Sequence, residues 1–515
     1  MQGTPDNELG RLRQALQLNP GDPRLHHALG GVLYTLRRPA KALASYEEAL
    51  RLQPGYVEAY NDRGLALQAM GRHEEALASY STALARRPDY PEACYNRANA
   101  HAALKHFPAA EADYRRAIES GLRRPEAYNN LALALAELGR TEEAIDRLRS
   151  ALEMYPGYAE GWCNLARFLE RLGRREEAIT IYDHALGLRP GDVDSQWNLS
   201  LLKLQRGELR EGWRLHEARF ALRAKEQGRP LPIDDHRWTG RENLEGKRIL
   251  LWSEGGFGDT LQYCRYVPLI RDLGAEVTLD VHPGLRALLD GQFPGVHLIG
   301  HGERAPPYDY QCSLLSLPGA FGTELATIPA TAAYLRADPS AIARWSRRLP
   351  MDGPLRIGIV WQGNSKREAG ALYGRSWPLA VLEPLSRLGR VRLVSLQVGP
   401  GAEQLSSVSF SDRVVSFGEE LDAGPNAFLD TTAILMNLDL LISCDTSVAH
   451  LAGALGVPVW LGLPANSEWR WLLGRADSPW YPSMRLFRQS VPGEWRPVVN
   501  DMCRALEDWP RAGRI

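Results

Sequence analysis

Small, aromatic and helix-stopping residues recur through the first half of the chain at an interval of 34 residues. Pro20, Pro54, Pro88, Pro156 and Pro190 fall on it, with Leu122 in the remaining place. So do Ala42, Ala76, Ala110, Ala144 and Ala178; Tyr46, Tyr80, Tyr114, Leu148 and Tyr182; and Ala49, Ala83, Ala117, Ala151 and Ala185. Gly30 and Gly64 continue as Ala98, Ala132 and Ala166, and Gly71, Gly139, Gly173 and Gly207 punctuate the turns. Each unit predicts two helices. Small residues let them close up, the aromatic side chain fills the gap, and proline stops the second helix. Full repeats are expected at 23–56, 57–90, 91–124, 125–158 and 159–192, after a partial one within 1–22. A degenerate sixth spans 193–226, where Gly212, His216 and Arg219 replace the small–aromatic–small set. Its expected role is to dock on the domain that follows.

The period changes after a polar connector at 227–246. RILLWS, EVTLDVH and VHLIG read as buried strands, alternating with the helical stretches TLQYCRYVPLIRDLG and PGLRALLDGQF. A second series follows: the strands RIGIV, RLVSLQ, LLIS and VPVWLGLP, and the helices VLEPLSRLG and FLDTTAILMNL. The expected fold class is therefore an α-solenoid, over 23–226, followed by two Rossmann-like α/β regions at 247–345 and 346–515. A long polar loop, WQGNSKREAGALYGRSWPL, interrupts the second region, and such loops carry function.

Composition narrows the partners. At 515 residues the chain exceeds a single core, and a net charge of −1 gives no electrostatic footprint for nucleic acid. The six cysteines are scattered without zinc spacing, and Asp234, Asp235 and His236 have no further ligand at a matching distance along the chain. No metal is expected. The start MQGTPDNELG lacks a signal pattern and no apolar run approaches a bilayer span, so a cytoplasmic location is expected.

Candidate chemistry gathers at SCDTSVAHLAGALGVPVWLGLP. Asp445, Thr446 and Ser447 sit where a helix begins after an apolar strand, and His450 lies one turn further on the same face. Unpaired N–H groups at such a start form an anion site, and a diphosphate fits it. In the other region Gly255, Gly256 and Gly258 turn the chain sharply after the first strand. Asp259 follows, either as an N-terminal cap or as a general base, with Glu254 as a neighbouring candidate for the same work. In the solenoid, Asp62, Asn96, Asn130, Asn164 and Asn198 form one more column. Asn carries an acceptor and two donors, so a ladder of them can grip a polypeptide backbone; the plainer alternative is local hydrogen bonding.

The repeat unit resembles the tetratricopeptide repeat, whose first helices line a concave face. DTSVAHLAGALGVPVWLGLP resembles the D-T-x-x-x-H-L-x-x-A-L-x-x-P block of the bacterial heptosyltransferases (glycosyltransferase family 9), and GFGD resembles that family's S-x-x-G-D turn. The plan of repeats followed by a double Rossmann region resembles the O-linked N-acetylglucosamine transferases and bacterial repeat-bearing glycosyltransferases. The resemblance implies a GT-B fold and a metal-independent, inverting glycosyltransferase without a cofactor. A nucleotide-sugar would be the donor and a Ser/Thr hydroxyl of a polypeptide held by the repeats the acceptor. It implies Thr446, Ser447 and His450 around the diphosphate, Asp259 as base, and a cation from the polar loop: Arg375, or else Lys366 or Arg367. Gln362, Gly363 and Asn364 would meet sugar or nucleotide, and Thr431 a phosphate or ribose. The alternatives are a non-catalytic repeat scaffold with a nucleotide-binding module, and a transferase acting on a saccharide or glycolipid.

Overall fold

The computed structural model describes residues 5–227, 236–350, 355–363, 374–423 and 427–509. The chain divides into two compact units, Met1–Gln196 and Trp197–Ile515.

The first unit is a run of antiparallel helix pairs. Its helices are Pro5–Leu18, Pro23–Thr35, Pro39–Leu52, Val57–Ala69, His73–Arg86, Pro91–Ala103, Phe107–Glu119, Pro125–Glu137, Thr141–Met154, Ala159–Arg171 and Arg175–Leu188. The repeated columns act as expected. A Cβ on Gly30 would stand 2.4 Å from the ring of Tyr46, and one on Gly64 would stand 2.4 Å from that of Tyr80. Those rings are buried, so ring and small residue form one packing unit. The proline carbonyls are satisfied by the next repeat: His26 Nε2 lies 2.9 Å from the Pro20 oxygen, Trp162 Nε1 donates to Pro156 at 2.8 Å and Gln196 Nε2 to Pro190 at 2.7 Å. Gly71, Gly139 and Gly173 end their helices at positive φ. Arg37 and Lys105 hold the same left-handed turn at the equivalent places, with φ of 56° and 60°.

The second unit opens with repeat-derived helices, continuing through Leu209–His216 and Ala218–Gln227. The degenerate repeat is built into this unit. Trp213 packs edge-on against Trp469 and Tyr263, and Gln205 Nε2 donates to the Ser467 carbonyl at 2.8 Å. Of the connector, Trp238 is buried and its backbone N–H donates to the Gln311 carbonyl; Asp234 and Asp235 lie outside the described residues.

Two parallel sheets follow. The first holds β1 (Arg248–Trp252), β2 (Glu276–Val281), β3 (His297–Gly300) and β4 (Tyr310–Ser313) in the order β3-β2-β1-β4. The second holds β5 (Leu355–Val360), β6 (Val391–Ser395), β7 (Val414–Val415), β8 (Leu440–Ser443), β9 (Val459–Leu463) and β10 (Met484–Arg488) in the order β10-β9-β8-β5-β6-β7. All its pairings are parallel as well. The α/β expectation holds for both regions. Strands β4 and β10 were not foreseen, and the helix expected across 260–274 is broken: Phe257–Tyr263 passes through a short tight turn into Val267–Asp272, with Pro268 in the first turn of the second piece. Among the described residues no helix is long and apolar enough to cross a membrane, and no group of His, Cys, Asp or Glu is arranged to hold a metal ion.

Candidate functional site

A cleft of about 740 Å³ in the second unit is lined by segments leaving the carboxyl ends of strands in both sheets. This is where parallel α/β sheets place ligands. From the first sheet come the glycine turn after β1, with Asp259, and His282 after β2. From the second come Gln362 and Gly363 after β5, Gln397 after β6, and Asp445, Thr446, Ser447 and His450 after β8. Arg375, Thr431 and Arg470 complete the wall. The fold thus brings together most residues singled out from the sequence. Asn364, Lys366 and Arg367 lie outside the described residues.

The helix Ser447–Ala454 starts at the cleft. Thr446 is its N-terminal flanking residue, extended, and makes no side-chain cap; its hydroxyl lies 3.2 Å from that of Ser443. The helix start therefore presents backbone donors to the cleft without a capping oxygen of its own. Asp445 is buried and accepts from Trp471 Nε1 at 2.9 Å, with His450 Nε2 at 3.7 Å. Burial opposes its ionisation, but His450, Arg470 and Trp471 outweigh that and hold it well below the usual carboxylate range. His450 is also buried, with Nδ1 2.9 Å from the Tyr481 hydroxyl and its ring stacked on Trp471. Burial pushes its imidazole below the ordinary value, against the pull of Asp445.

Asp259 does two local tasks. Its Oδ2 accepts the Gly256 N–H at 2.8 Å, closing the turn that Gly255 enters at a φ of 82°. Its Oδ1 pairs with Arg470 Nη2 at 2.9 Å. Burial raises its pKa, but Arg470 and the Gly256 N–H prevail and hold the carboxyl below the usual range. Each oxygen thus has one local partner, and the contact to the Gly256 N–H is the helix-start role, the first of its two expected readings. The alternative, Glu254, is not at the cleft. It is buried and bound by Arg219 Nη2 at 2.7 Å, by Arg223 and by the Ser313 hydroxyl. Those contacts tie Ala218–Gln227 to the end of β1, a structural role.

Arg470 was missed from the sequence because its loop is rich in Trp and Arg without periodicity. It is buried, and besides Asp259 it bonds Gln262 Oε1 at 2.7 Å and Glu468 at 3.0 Å. Thr431 lines the cleft, but its hydroxyl donates to Asp422, whose other oxygen accepts the N–H groups of Asp430 and Thr431 at 2.8 and 3.2 Å. Its hydroxyl belongs to the capping of Leu429–Leu435. Gln362 Oε1 accepts from Gln404 at 2.8 Å, which fixes its side chain at the wall.

In the solenoid the ladder residues bond across repeats. Asn96 Nδ2 donates to Asn61 Oδ1 at 2.9 Å, Asn130 Nδ2 to the Tyr95 hydroxyl at 3.2 Å and to Asn99 at 3.1 Å, and Asn164 Nδ2 to Asn129 Oδ1 at 2.7 Å. Asp62 accepts from His27 at 2.8 Å. Asn164 is buried and Asn198 half-buried. Each of these bonds joins one repeat to the next.

Known proteins resemble parts of this chain. Models of the tetratricopeptide repeat match residues 23–56, 61–125, 95–159 and 129–193. Residues 23–193 carry tetratricopeptide repeats. The chain is 29% identical over 324 residues to Protein FlbA of Caulobacter vibrioides, covering 59% of this chain and 53% of that protein. It spans about half the length of that curated relative. Among solved structures, YrrB, described as a TPR protein with an unusual peptide-binding site, is 23% identical, with a TM-score of 0.32, 36% of this chain and 95% of that one covered. A thermophilic TPR protein of Thermus thermophilus is 26% identical, with a TM-score of 0.30, 35% of this chain and 99% of that one covered.

Proposed function

We propose that the second unit binds a nucleotide-sugar and transfers its sugar to a Ser/Thr hydroxyl of a polypeptide recruited by the tetratricopeptide solenoid. One observation carries the reading: the uncapped start of Ser447–Ala454 opens on the same cleft as the glycine turn of the other α/β half. A diphosphate leaving group suits that place, because backbone N–H groups and the positive helix end stabilise it as charge grows. Arg375, at the cleft wall, supplies a cation to the same charge, and Arg470 fixes the floor. Of the carboxylates at the wall, Asp259 and Glu468 share the Arg470 guanidinium, while Asp445 accepts from Trp471 and Asp422 from the N–H groups of Asp430 and Thr431. Two parallel sheets contributing strand ends to one cleft support a GT-B arrangement, and the motif likeness to the heptosyltransferases supports a metal-independent, inverting displacement. Thr446, Ser447 and His450 surround the donor in this reading, with Gln362 nearby.

The test is calorimetric titration with UDP, GDP, CDP and ADP, followed by transfer from the matching nucleotide-sugars to a Ser/Thr peptide library, with and without EDTA. Binding of one diphosphate, weakened at least ten-fold in Thr446→Ala/Ser447→Ala, is the expected result. Absence of binding to all four would sink the reading. Transfer to glycans but not to peptides would move the activity to a saccharide acceptor.

A further inference from the structure

The transferase reading leaves open what grips the sugar itself, and the following inference rests on that reading. A group that passes from donor to acceptor must lie where the two α/β halves meet. Gly258 and His450 make one such meeting, where a Cβ on the glycine would stand 2.8 Å from the imidazole. Beside Gly258, two half-buried rings make another. Phe257 of the first half and Phe428 of the second pack edge-on, with centroids 5.7 Å apart, and both line the cleft.

We infer that Phe257 and Phe428 form an apolar clasp for the donor sugar, with Phe428 setting which sugar is accepted. The backbone at Phe428 carries the argument. Its φ is 72° and its ψ −2°, a left-handed conformation that a bulky side chain rarely adopts. Strain of this kind gathers at ligand clamps. The helix that begins there, Leu429–Leu435, does not need the ring. Asp422 accepts the N–H groups of Asp430 and Thr431, and the Phe428 carbonyl accepts the Thr432 N–H at 2.8 Å. None of these contacts involves the Phe428 side chain. Glycine would start the same helix without strain. The chain instead holds a phenyl ring at the cleft wall.

The facing ring is fixed as well. Phe257 opens the helix that follows the glycine turn. It lies over Gly284, where a Cβ would come within 3.1 Å of its ring, and edge-on to His282 at 5.5 Å. Val448, next to Ser447, and Ala427, next to Phe428, add apolar side chains to the same cleft. A phosphate gains nothing from such surface. A sugar does, through its C–H groups, and most through a methyl group. Hence 6-deoxyhexoses and N-acetylhexosamines suit the clasp better than the parent hexose, by about ten-fold or more for one methyl in an apolar pocket.

The experiment is calorimetric titration of the full chain with UDP, GDP, CDP and ADP. It continues with the hexose, 6-deoxyhexose and N-acetylhexosamine conjugates of the diphosphate that binds, for the natural protein, Phe428→Gly and Phe257→Leu. The natural protein should prefer a methyl-bearing conjugate by about ten-fold. Phe428→Gly should bind the free nucleoside diphosphate within about two-fold of the natural protein, bind that conjugate at least about ten-fold more weakly, and lose the preference over the plain hexose. Phe257→Leu, on an unstrained helix, repeats the test should the first variant fail to fold, with an expected loss of about three-fold or more confined to the conjugate. A natural protein without preference among the sugars overturns the inference, as does a preference that survives in Phe428→Gly. So does an equal loss for diphosphate and conjugate, which places the ring at the nucleotide or in the scaffold. Where one diphosphate binds, these results remove only the clasp. Where none binds, the nucleotide-sugar reading falls and this inference falls with it.

Discussion

Arg470 Nη2 stands 2.9 Å from Asp259 Oδ1, joining the loop after β9 to the glycine turn after β1. The pair spans the two α/β halves of the second unit, and its side chains are only 10% and 17% exposed. Removing the guanidinium leaves a carboxylate shielded from water. Arg470→Met should therefore cost about 3–5 kcal/mol, more than Asp259→Asn, whose side-chain oxygen still accepts the Gly256 N–H. The double variant should cost less than the sum of the two. Urea unfolding followed by tryptophan fluorescence reads all three, and a loss below about 1 kcal/mol for Arg470→Met would mean that solvent already screens the pair.

Gly258 makes another contact across these halves. A Cβ there would fall 2.8 Å from His450 Cδ2, and the His450 ring cannot swing aside because Tyr481 and Trp471 hold it. Gly258→Ala should destabilise by about 1–3 kcal/mol through overpacking. It should also weaken nucleoside diphosphate binding, since His450 and Ser447 share one helix. Wild-type stability and affinity together in this variant would show that the cleft adjusts freely.

The parts of this molecule with a repeating spacing were legible. The 34-residue columns foretold which helices pair and that an aromatic ring fills the gap between them, because packing constraints recur at every repeat. Arg37 and Lys105 escaped notice as turn residues because the positive φ is carried there without glycine. The apolar strands β1, β2, β5, β8 and β9 were readable from hydrophobic runs, while β4 is short and β10 carries Arg485 and Arg488. At the site, the start of Ser447–Ala454 was visible because a small-residue helix follows an apolar strand. Arg470 and His282 were not, since each joins the cleft through tertiary packing. The Asn ladder showed its period but not its partners, which sit 35 residues away, one place off the column.

Lys105 gives a simple test of the turn argument. It holds a φ of 60° at the place where Gly71 and Gly139 hold 75° and 80°. The left-handed conformation costs a side chain about 1–2 kcal/mol, and glycine's extra freedom in the unfolded chain returns about half of that. Lys105→Gly should stabilise the solenoid by about 0.5–1 kcal/mol, seen as a higher Tm. A lower Tm would reveal a contact of the Lys105 side chain that outweighs the strain.

Asn164 separates stacking from recognition in the ladder. Its amide donates to Asn129 at 2.7 Å in a buried setting, whereas Asn96 is half-buried. Asn164→Ala should cost about 1–3 kcal/mol, because Asn129 loses a donor where water cannot replace it, and Asn96→Ala should cost less. Equal effects in thermal melts would contradict this ordering. Peptide affinity that falls in Asn96→Ala without loss of stability would return that residue to the acceptor groove.

Acid should unfold the second unit in two stages. His216 and His450 are buried, and burial holds both imidazoles below their ordinary value. The unfolded chain then binds protons that the folded one refuses, so stability begins to fall below about pH 6.5. Asp259 and Asp445 follow the carboxylate rule: their folded values lie below the unfolded one, so their contribution is complete above about pH 4 and is lost as pH falls through the depressed values. Asp422, raised by burial, runs against them and softens the second stage. Unfolding free energies measured from pH 7.5 to 3 should show both declines. His450→Gln should reduce the first, and Asp445→Asn the second. A profile that stays level down to pH 4.5 would mean that the two imidazoles already carry their protons in the folded protein.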